Sequence, residues 1–144
     1  VPIVFRTSTD SSKGCYNHLG QKIYINDDLS QLQTLSVMIH ELSHAVMHAL
    51  PVENGKIVGS HEKDRRTREV EAESVAYVVC QHFGIETGDS SFAYVTSWSK
   101  NKELPELKAS LECISKTASK IIEDITEKYP PLNVSKARKI MYRI

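Results

Sequence analysis

Residues 37–48 read VMIHELSHAVMH, and the spacing of histidine and apolar residues in this stretch decides the fold. On a helical wheel His40 and His44 lie about 40° apart, one turn from each other. The apolar residues of segment 31–50 form a core-facing stripe on the other side of the helix. This stripe consists of Leu35, Met38, Ile39, Leu42, Ala45, Val46 and Ala49. The two histidines are therefore not core residues of this helix, and they face either water or a cleft that another element covers.

The histidine pair predicts a metal site. Because the two histidines are four positions apart, both imidazoles can reach one tetrahedral zinc ion, and Glu41 can reach the attacking water. The alternative is a solvent-facing pair. However, Val37 and Met47 flank this face, and apolar side chains are unusual choices for a fully hydrated surface. We therefore predict His40 and His44 as zinc ligands and Glu41 as the catalytic base.

The third zinc ligand is expected on the segment TREVEAESVAYVVC (67–80), because a catalytic zinc usually has three protein ligands. Small alanines in the apolar stripe of this helix permit a close approach to the histidines. The stripe consists of Ala72, Val75, Ala76, Val79 and Phe83. Glu69 is angularly closest to the stripe. However, Glu69 lies at the start of the helix, where a carboxylate also interacts with the helix dipole. Glu73 borders the stripe, and Glu71 lies slightly further round on the opposite flank, so the wheel favours Glu73 narrowly.

The motif HELSH (40–44), followed by EVEAESVAYVV (69–79), resembles the ImmA/IrrE-type metallopeptidases. It is most similar to the zincin domains of ArdC antirestriction and LtrC-like conjugative-element proteins. The resemblance implies a zincin-like fold, zinc-dependent peptidase chemistry, a bacterial mobile-element setting and a protein or peptide substrate, for example a DNA-binding repressor. The ArdC-like pattern places the third ligand on Glu73, whereas the ImmA-like pattern places it on Glu71. Glu73 is the prediction, because AESVAY (72–77) matches the ArdC-like pattern better.

The expected chemistry is hydrolysis of a peptide bond. Zinc polarises the scissile carbonyl and lowers the pKa of its water, while Glu41 moves a proton from that water to the leaving amine. The segment KIYIN (22–26) is either an edge strand that pairs with an extended substrate or a core strand. The candidates for stabilising the oxyanion are Tyr77, Tyr94 and His61. The other histidines, which are predicted to be solvated or locally hydrogen-bonded, are His18, His48 and His82.

The pattern of the whole chain predicts an α+β fold, with a small antiparallel or mixed sheet against the HExxH helix and two further long helices. A β-rich segment (2–7) precedes a hairpin (15–26) that closes near Gly20. A helix follows from a Ser30–Gln33 capping box to about residue 50. The remaining predicted elements are a loop or short hairpin (51–63), a helix (65–83), a short helix or turn (91–99), a long helix from Pro105 to 129 and a basic tail (135–144).

Composition restricts the function classes. The chain has 144 residues, which fits one domain, with 18 basic and 18 acidic residues, so this segment is not expected to bind nucleic acid directly. Neither a membrane-length apolar run nor a signal peptide is visible, and three widely spaced cysteines, Cys15, Cys80 and Cys113, suit free thiols. A cytoplasmic location is expected. Because the chain begins Val-Pro, we predict a domain cut from a longer protein.

Two other function classes remain at this stage. The segment could be a zinc-containing binding module of a single-stranded-DNA-handling protein, or an antirestriction protein that acts by contact without hydrolysis. The intact Glu41 favours an enzyme, because a structural zinc site has no use for a base at that position. The fourth ligand separates the classes: water indicates an enzyme, and a protein side chain indicates a structural site.

Overall fold

The computed structural model describes residues 1–86 and 90–129, and for residues 90–94 the backbone alone. The predicted basic tail (135–144) lies outside the described residues. The strands are β1 (Ile3–Arg6), β2 (Gly14–Asn17), β3 (Lys22–Asn26), β4 (Val52–Glu53) and β5 (Lys56–Ile57). The helices are α1 (Gln31–Met47), α2 (Arg65–His82), α3 (Ser90–Ser99) and α4 (Leu104–Lys128). An α+β architecture with a small sheet and long helices is confirmed.

The first three strands form a mixed sheet in the order β1-β3-β2. The predicted hairpin is confirmed, since β2 pairs antiparallel with β3 and Cys15 lies opposite Tyr24. The suggestion that β3 is an edge strand is wrong, because β1 pairs parallel with its other side. Ile23 and Ile25 of β3 are fully buried, as expected for the central strand. Among the described residues β2 has no second strand partner, so β2 is the edge beside α1.

Helix α1 begins where the capping box predicts. The Ser30 hydroxyl accepts from the backbone N–H of Gln33, and the Gln33 side chain accepts from the backbone N–H of Ser30. The helix ends at Met47, three residues before the predicted end. The predicted apolar stripe is only partly buried: Ile39 lies in the core, whereas Leu35 is 41% and Val46 45% exposed.

Helix α2 lies at the centre of the helical layer and packs against both α1 and α4. Its small residues Ala72 and Ala76 are buried, which confirms the predicted close approach of a neighbouring helix. The main apolar cluster is formed by Ile39, Val75, Ala76, Val79, Cys80, Ile114, Ala118 and Ile121. Asp64 caps the N-terminus of α2 by accepting from the backbone N–H of Thr67. This cap fixes the first turn of α2, which contributes residues to the site.

Two smaller features also match the sequence analysis. The segment 51–63 contains the short hairpin β4–β5, whose turn residues Asn54 and Gly55 have positive φ angles of 51° and 73°. Cys15, Cys80 and Cys113 are free thiols, as predicted, and the Cys80 side chain is buried. On α4, Ile114, Ala118 and Ile121 are buried, whereas Leu111 is exposed. No helix within residues 1–86 and 90–129 combines the length and the apolar composition needed to cross a bilayer.

Candidate metal centre

Three side chains from α1 and α2 converge at one point between the two helices. His40 Nε2 and His44 Nε2 lie 3.2 Å apart. The Glu69 carboxylate straddles them, with Oε2 at 3.3 Å from His40 Nε2 and Oε1 at 3.2 Å from His44 Nε2. Zinc ligands at about 2.0–2.1 Å from a tetrahedral ion are separated from each other by roughly 3.3 Å. The spacing of these donor atoms therefore fits a zinc ion.

Glu73, the predicted third ligand, lies on the other side of the His40 ring. Its Oε2 is 2.9 Å from His40 Nδ1, which is an ion-pair distance, although the alignment is not that of a hydrogen bond. Glu69 and Glu73 are four residues apart, so they share a face of α2 and both reach His40. Glu69, however, faces the nitrogen pair. The geometry therefore favours Glu69 over Glu73 as the third donor.

The electrostatics of this cluster favour a cation. Burial by itself lowers the pKa of His40, but the carboxylates of Glu69 and Glu73 outweigh burial and raise that pKa to about 10. The pKa of Glu69 is lowered by its contacts with His40 and His44. The acidic groups thus stabilise a positive charge at the centre of the cluster, where a metal ion would replace the proton.

Glu41 lies next to the three candidate metal ligands but is not one of them. Its side chain is largely buried, and it lines the same cavity of about 410 Å³ as His40, His44 and Glu69. The backbone N–H of Tyr16 on β2 favours the charged form of the Glu41 carboxylate. Burial raises the pKa of Glu41. A carboxylate with a raised pKa next to a metal site is suited to proton transfer.

Behind His44 lies a buried chain of polar groups that the sequence analysis did not anticipate. His44 Nδ1 is 2.9 Å from His48 Nδ1, and His48 Nε2 is 3.1 Å from Glu71 Oε1. Lys63 donates to both oxygens of Glu71, at 3.0 and 2.7 Å. His48 is buried and hydrogen-bonded to His44, so the solvated alternative for it is wrong and the locally hydrogen-bonded one holds. The spacing of His40, His44 and His48, four residues each, was the available signal.

Glu71 therefore has a different environment from the other two glutamates of α2. Its side chain is fully buried, and burial alone would raise its pKa. The contacts with His48 and Lys63 outweigh burial and lower the pKa of Glu71. Glu71 thus stays ionised, and it contacts neither His40 nor the Nε2 atom of His44 in this arrangement.

Basic and aromatic residues complete the wall of the cavity. The full lining is Ser12, Gly14, Cys15, Tyr16, His18, His40, Glu41, His44, His48, His61, Arg65, Arg68 and Glu69. His61 Nε2 donates to the carbonyl oxygen of His48 at 2.8 Å, and the Arg68 guanidinium donates to His61 Nδ1. Of the predicted oxyanion-stabilising candidates, His61 lines the cavity and Tyr77 does not. The side chain of Tyr94 lies outside the described residues.

An HExxH helix on a small sheet, with a carboxylate from a second helix beside both histidines, is an arrangement typical of metallopeptidase-like domains. Residues 4–81 match the peptidase family described as the IrrE N-terminal-like domain. The chain therefore belongs to this family. It is also 35% identical over 112 residues to a Bacillus anthracis protein described as uncharacterized. That match covers 77% of this chain and 18% of the relative, so the chain spans less than a fifth of that protein's length. No solved structure matches the chain.

Proposed function

We propose that the chain is a zinc-dependent endopeptidase domain in which His40, His44 and Glu69 hold the metal. The observation that carries this proposal is the set of donor separations, 3.2 to 3.3 Å, at a cavity that also contains Glu41. When bound, zinc supplies a Lewis acid that polarises a carbonyl and lowers the pKa of water. Glu69 replaces Glu73 in this proposal, because it is the carboxylate that faces both Nε2 atoms.

Glu41 moves the proton. It accepts a proton from the attacking water and delivers it to the nitrogen of the leaving amine. Its raised pKa brings it closer to neutral pH, where a base must both take up and release a proton.

The remaining carboxylates orient the histidine rings. If His44 uses Nε2 for the metal, its Nδ1–H donates to His48 Nδ1, and His48 Nε2–H donates to Glu71. Each ring then has one tautomer, and the lone pair of His44 Nε2 points to the metal position. Glu73 is close enough to His40 Nδ1 to act on that ring in the same way.

The substrate path follows from the sheet. Gly14, Cys15 and Tyr16 of the edge strand β2 line the cavity, whereas β3 is enclosed between two strands. We propose that an extended peptide lies along β2 and pairs with its free backbone groups, as in β-strand addition. In this proposal β2 takes the role that the sequence analysis suggested for β3.

The finer context rests on sequence resemblance alone. We propose an ArdC- or LtrC-like protein of a bacterial mobile element, a cytoplasmic location and a protein substrate such as a DNA-binding repressor. The support is the motif HELSH (40–44) together with EVEAESVAYVV (69–79). We also propose that the chain is one zincin-like domain of a longer protein.

The test compares the wild type with Glu41→Gln. Metal analysis should give one zinc per chain for both, because Glu41 is not a ligand, while a peptide library analysed by mass spectrometry should be cleaved by the wild type alone. Glu123→Gln, on the exposed surface of α4, is the matched control and should cleave like the wild type. Cleavage by Glu41→Gln at the wild-type rate would contradict the mechanism. A wild type that holds zinc but cleaves no peptide would favour a binding module.

A further inference from the structure

Arg68 in the cavity wall has no carboxylate partner among the residues that the structure describes. The Arg68 guanidinium donates to His61, and its buried Nε has no hydrogen-bond partner among residues 1–86 and 90–129. The neighbouring acids of α2 are engaged elsewhere: Glu69 contacts the histidine pair, and Glu71 binds Lys63. A half-buried arginine without a counter-ion is unusual, because the desolvated charge is not compensated.

His61 holds this arginine without neutralising it. Since His61 Nε2 donates to the His48 carbonyl oxygen, Nδ1 carries the lone pair that accepts from Arg68, and the ring is neutral. Burial lowers the pKa of the neighbouring His18, and the positive charge of Arg68 lowers it further. Arg65 lines the same cavity, so this part of the wall is basic.

We propose that Arg68 binds a carboxylate of the substrate and thereby makes this site prefer acidic peptides. This inference rests on the proposed peptidase function and names the substrate class. The carboxylate belongs to an aspartate or glutamate side chain or to a free C-terminus. The planar guanidinium suits a carboxylate, because its N–H groups match the two oxygens in a bidentate pair. An arriving carboxylate supplies the negative charge that Arg68 lacks among the described residues, while His61 keeps the arginine in place.

The experiment measures binding instead of turnover. Zinc-loaded Glu41→Gln is titrated with fluorescently labelled alanine peptides that contain one glutamate at successive positions. Matched peptides contain glutamine at those positions, and a second pair differs only in a free or an amidated C-terminus. We expect one carboxylate position to bind about 10- to 100-fold more tightly than its amide counterpart, as for a desolvated charged hydrogen bond. The position that gives the preference shows whether a side chain or the C-terminus is bound.

Two variants in the same background attribute the preference to Arg68. Arg68→Gln should bind acid and amide peptides equally, whereas Arg68→Lys, which keeps the charge, should retain part of the preference. Arg66→Gln is the matched control, because Arg66 lies on the same helix and bonds Ser97 of α3. It should keep the full preference. The zinc content of every variant is measured, so that weaker peptide binding caused by a loss of metal is not attributed to the loss of Arg68.

The outcomes separate this inference from the proposed function. An equal affinity of the Arg68-containing protein for acid and amide peptides overturns the inference, and so does the absence of any binding. A preference that persists in Arg68→Gln also overturns it, because the carboxylate would then be bound by the metal. If the preference depends on Arg68 but the wild type cleaves none of these peptides, the hydrolytic proposal fails while the carboxylate site stands.

Discussion

The choice between Glu69 and Glu73 as third ligand can be tested by two matched substitutions on one helix face. In Glu69→Gln, one of three donors loses its negative charge and one of its two oxygens, at a site whose donor atoms are 3.2 to 3.3 Å apart. In Glu73→Gln, the change lies behind His40, at 2.9 Å from Nδ1. Both side chains are similarly exposed, at 38% and 39%, so a difference between the variants reports their positions relative to the metal.

The expected magnitudes differ clearly. Loss of a group that orients a ligand typically weakens metal binding by about 10- to 100-fold. For Glu73, the partial exposure and the imperfect alignment with His40 place the effect near the lower end, at about 10-fold. Loss of a ligand itself should cost more, at least about 100-fold, which corresponds to about 2.7 kcal/mol of binding free energy. We therefore expect Glu69→Gln to bind zinc at least tenfold more weakly than Glu73→Gln.

The assay is a competition titration with a chromophoric zinc chelator at fixed pH. Circular dichroism of the metal-free proteins checks that each variant folds. Glu112→Gln, on the exposed surface of α4, is the control and should bind zinc like the wild type. A larger loss in Glu73→Gln than in Glu69→Gln would refute the reasoning and restore Glu73 as the ligand that the sequence pattern indicated.

Three further predictions concern the surroundings of the site. Glu71→Ala should lower the free energy of unfolding in urea by about 1–3 kcal/mol, because buried donors lose their acceptor; unchanged stability would contradict the buried chain. Gly14→Ala should destabilise the fold by about 1–3 kcal/mol in thermal melts, since a Cβ at this position would lie 2.7 Å from Val37 Cγ1. Gly20→Ala is the control: its Cβ would meet no atom closer than 3.5 Å, so this variant should melt like the wild type. Zinc affinity should rise about tenfold per pH unit between about pH 6 and 8, because the pKa of His40 is raised to about 10 and the metal must displace its proton; a flat profile in competition titrations would contradict this.

Local sequence signals predicted the helices and the histidine pair well. The capping box at Ser30 and Gln33 defines the start of α1, and the spacing of His40 and His44 places both on one face. These features depend on neighbours within four residues. The position of β3 in the sheet depends instead on residues that are distant in the sequence. It depends on parallel pairing with β1, in which Ile3 lies opposite Ile23, and a contact across 20 residues leaves no periodic signature in either strand.

The third ligand was difficult to predict for a related reason. A helical wheel gives the angles between Glu69, Glu71 and Glu73, but the ligand depends on how α2 is rotated about its own axis when it packs against α1. Glu69 and Glu73 are about 40° apart on the wheel, so a small rotation of α2 exchanges their positions relative to the histidines. The rotation is set by the buried residues of α2, which contact both α1 and α4.

The three glutamates of α2 differ in exposure, and this difference suggests how the site divides its tasks. Glu69 and Glu73 are each more than a third exposed and both lie against His40, so their side chains can adjust when a metal ion replaces the proton there. Glu71 is fully buried and tied to His48 and Lys63, so it cannot follow such an adjustment. The buried carboxylate therefore fixes the orientation of His44 through His48, while the two more exposed carboxylates have room to follow the charge at the centre. A site built in this way keeps one histidine preorganised before the metal arrives, which lowers the ordering cost of binding.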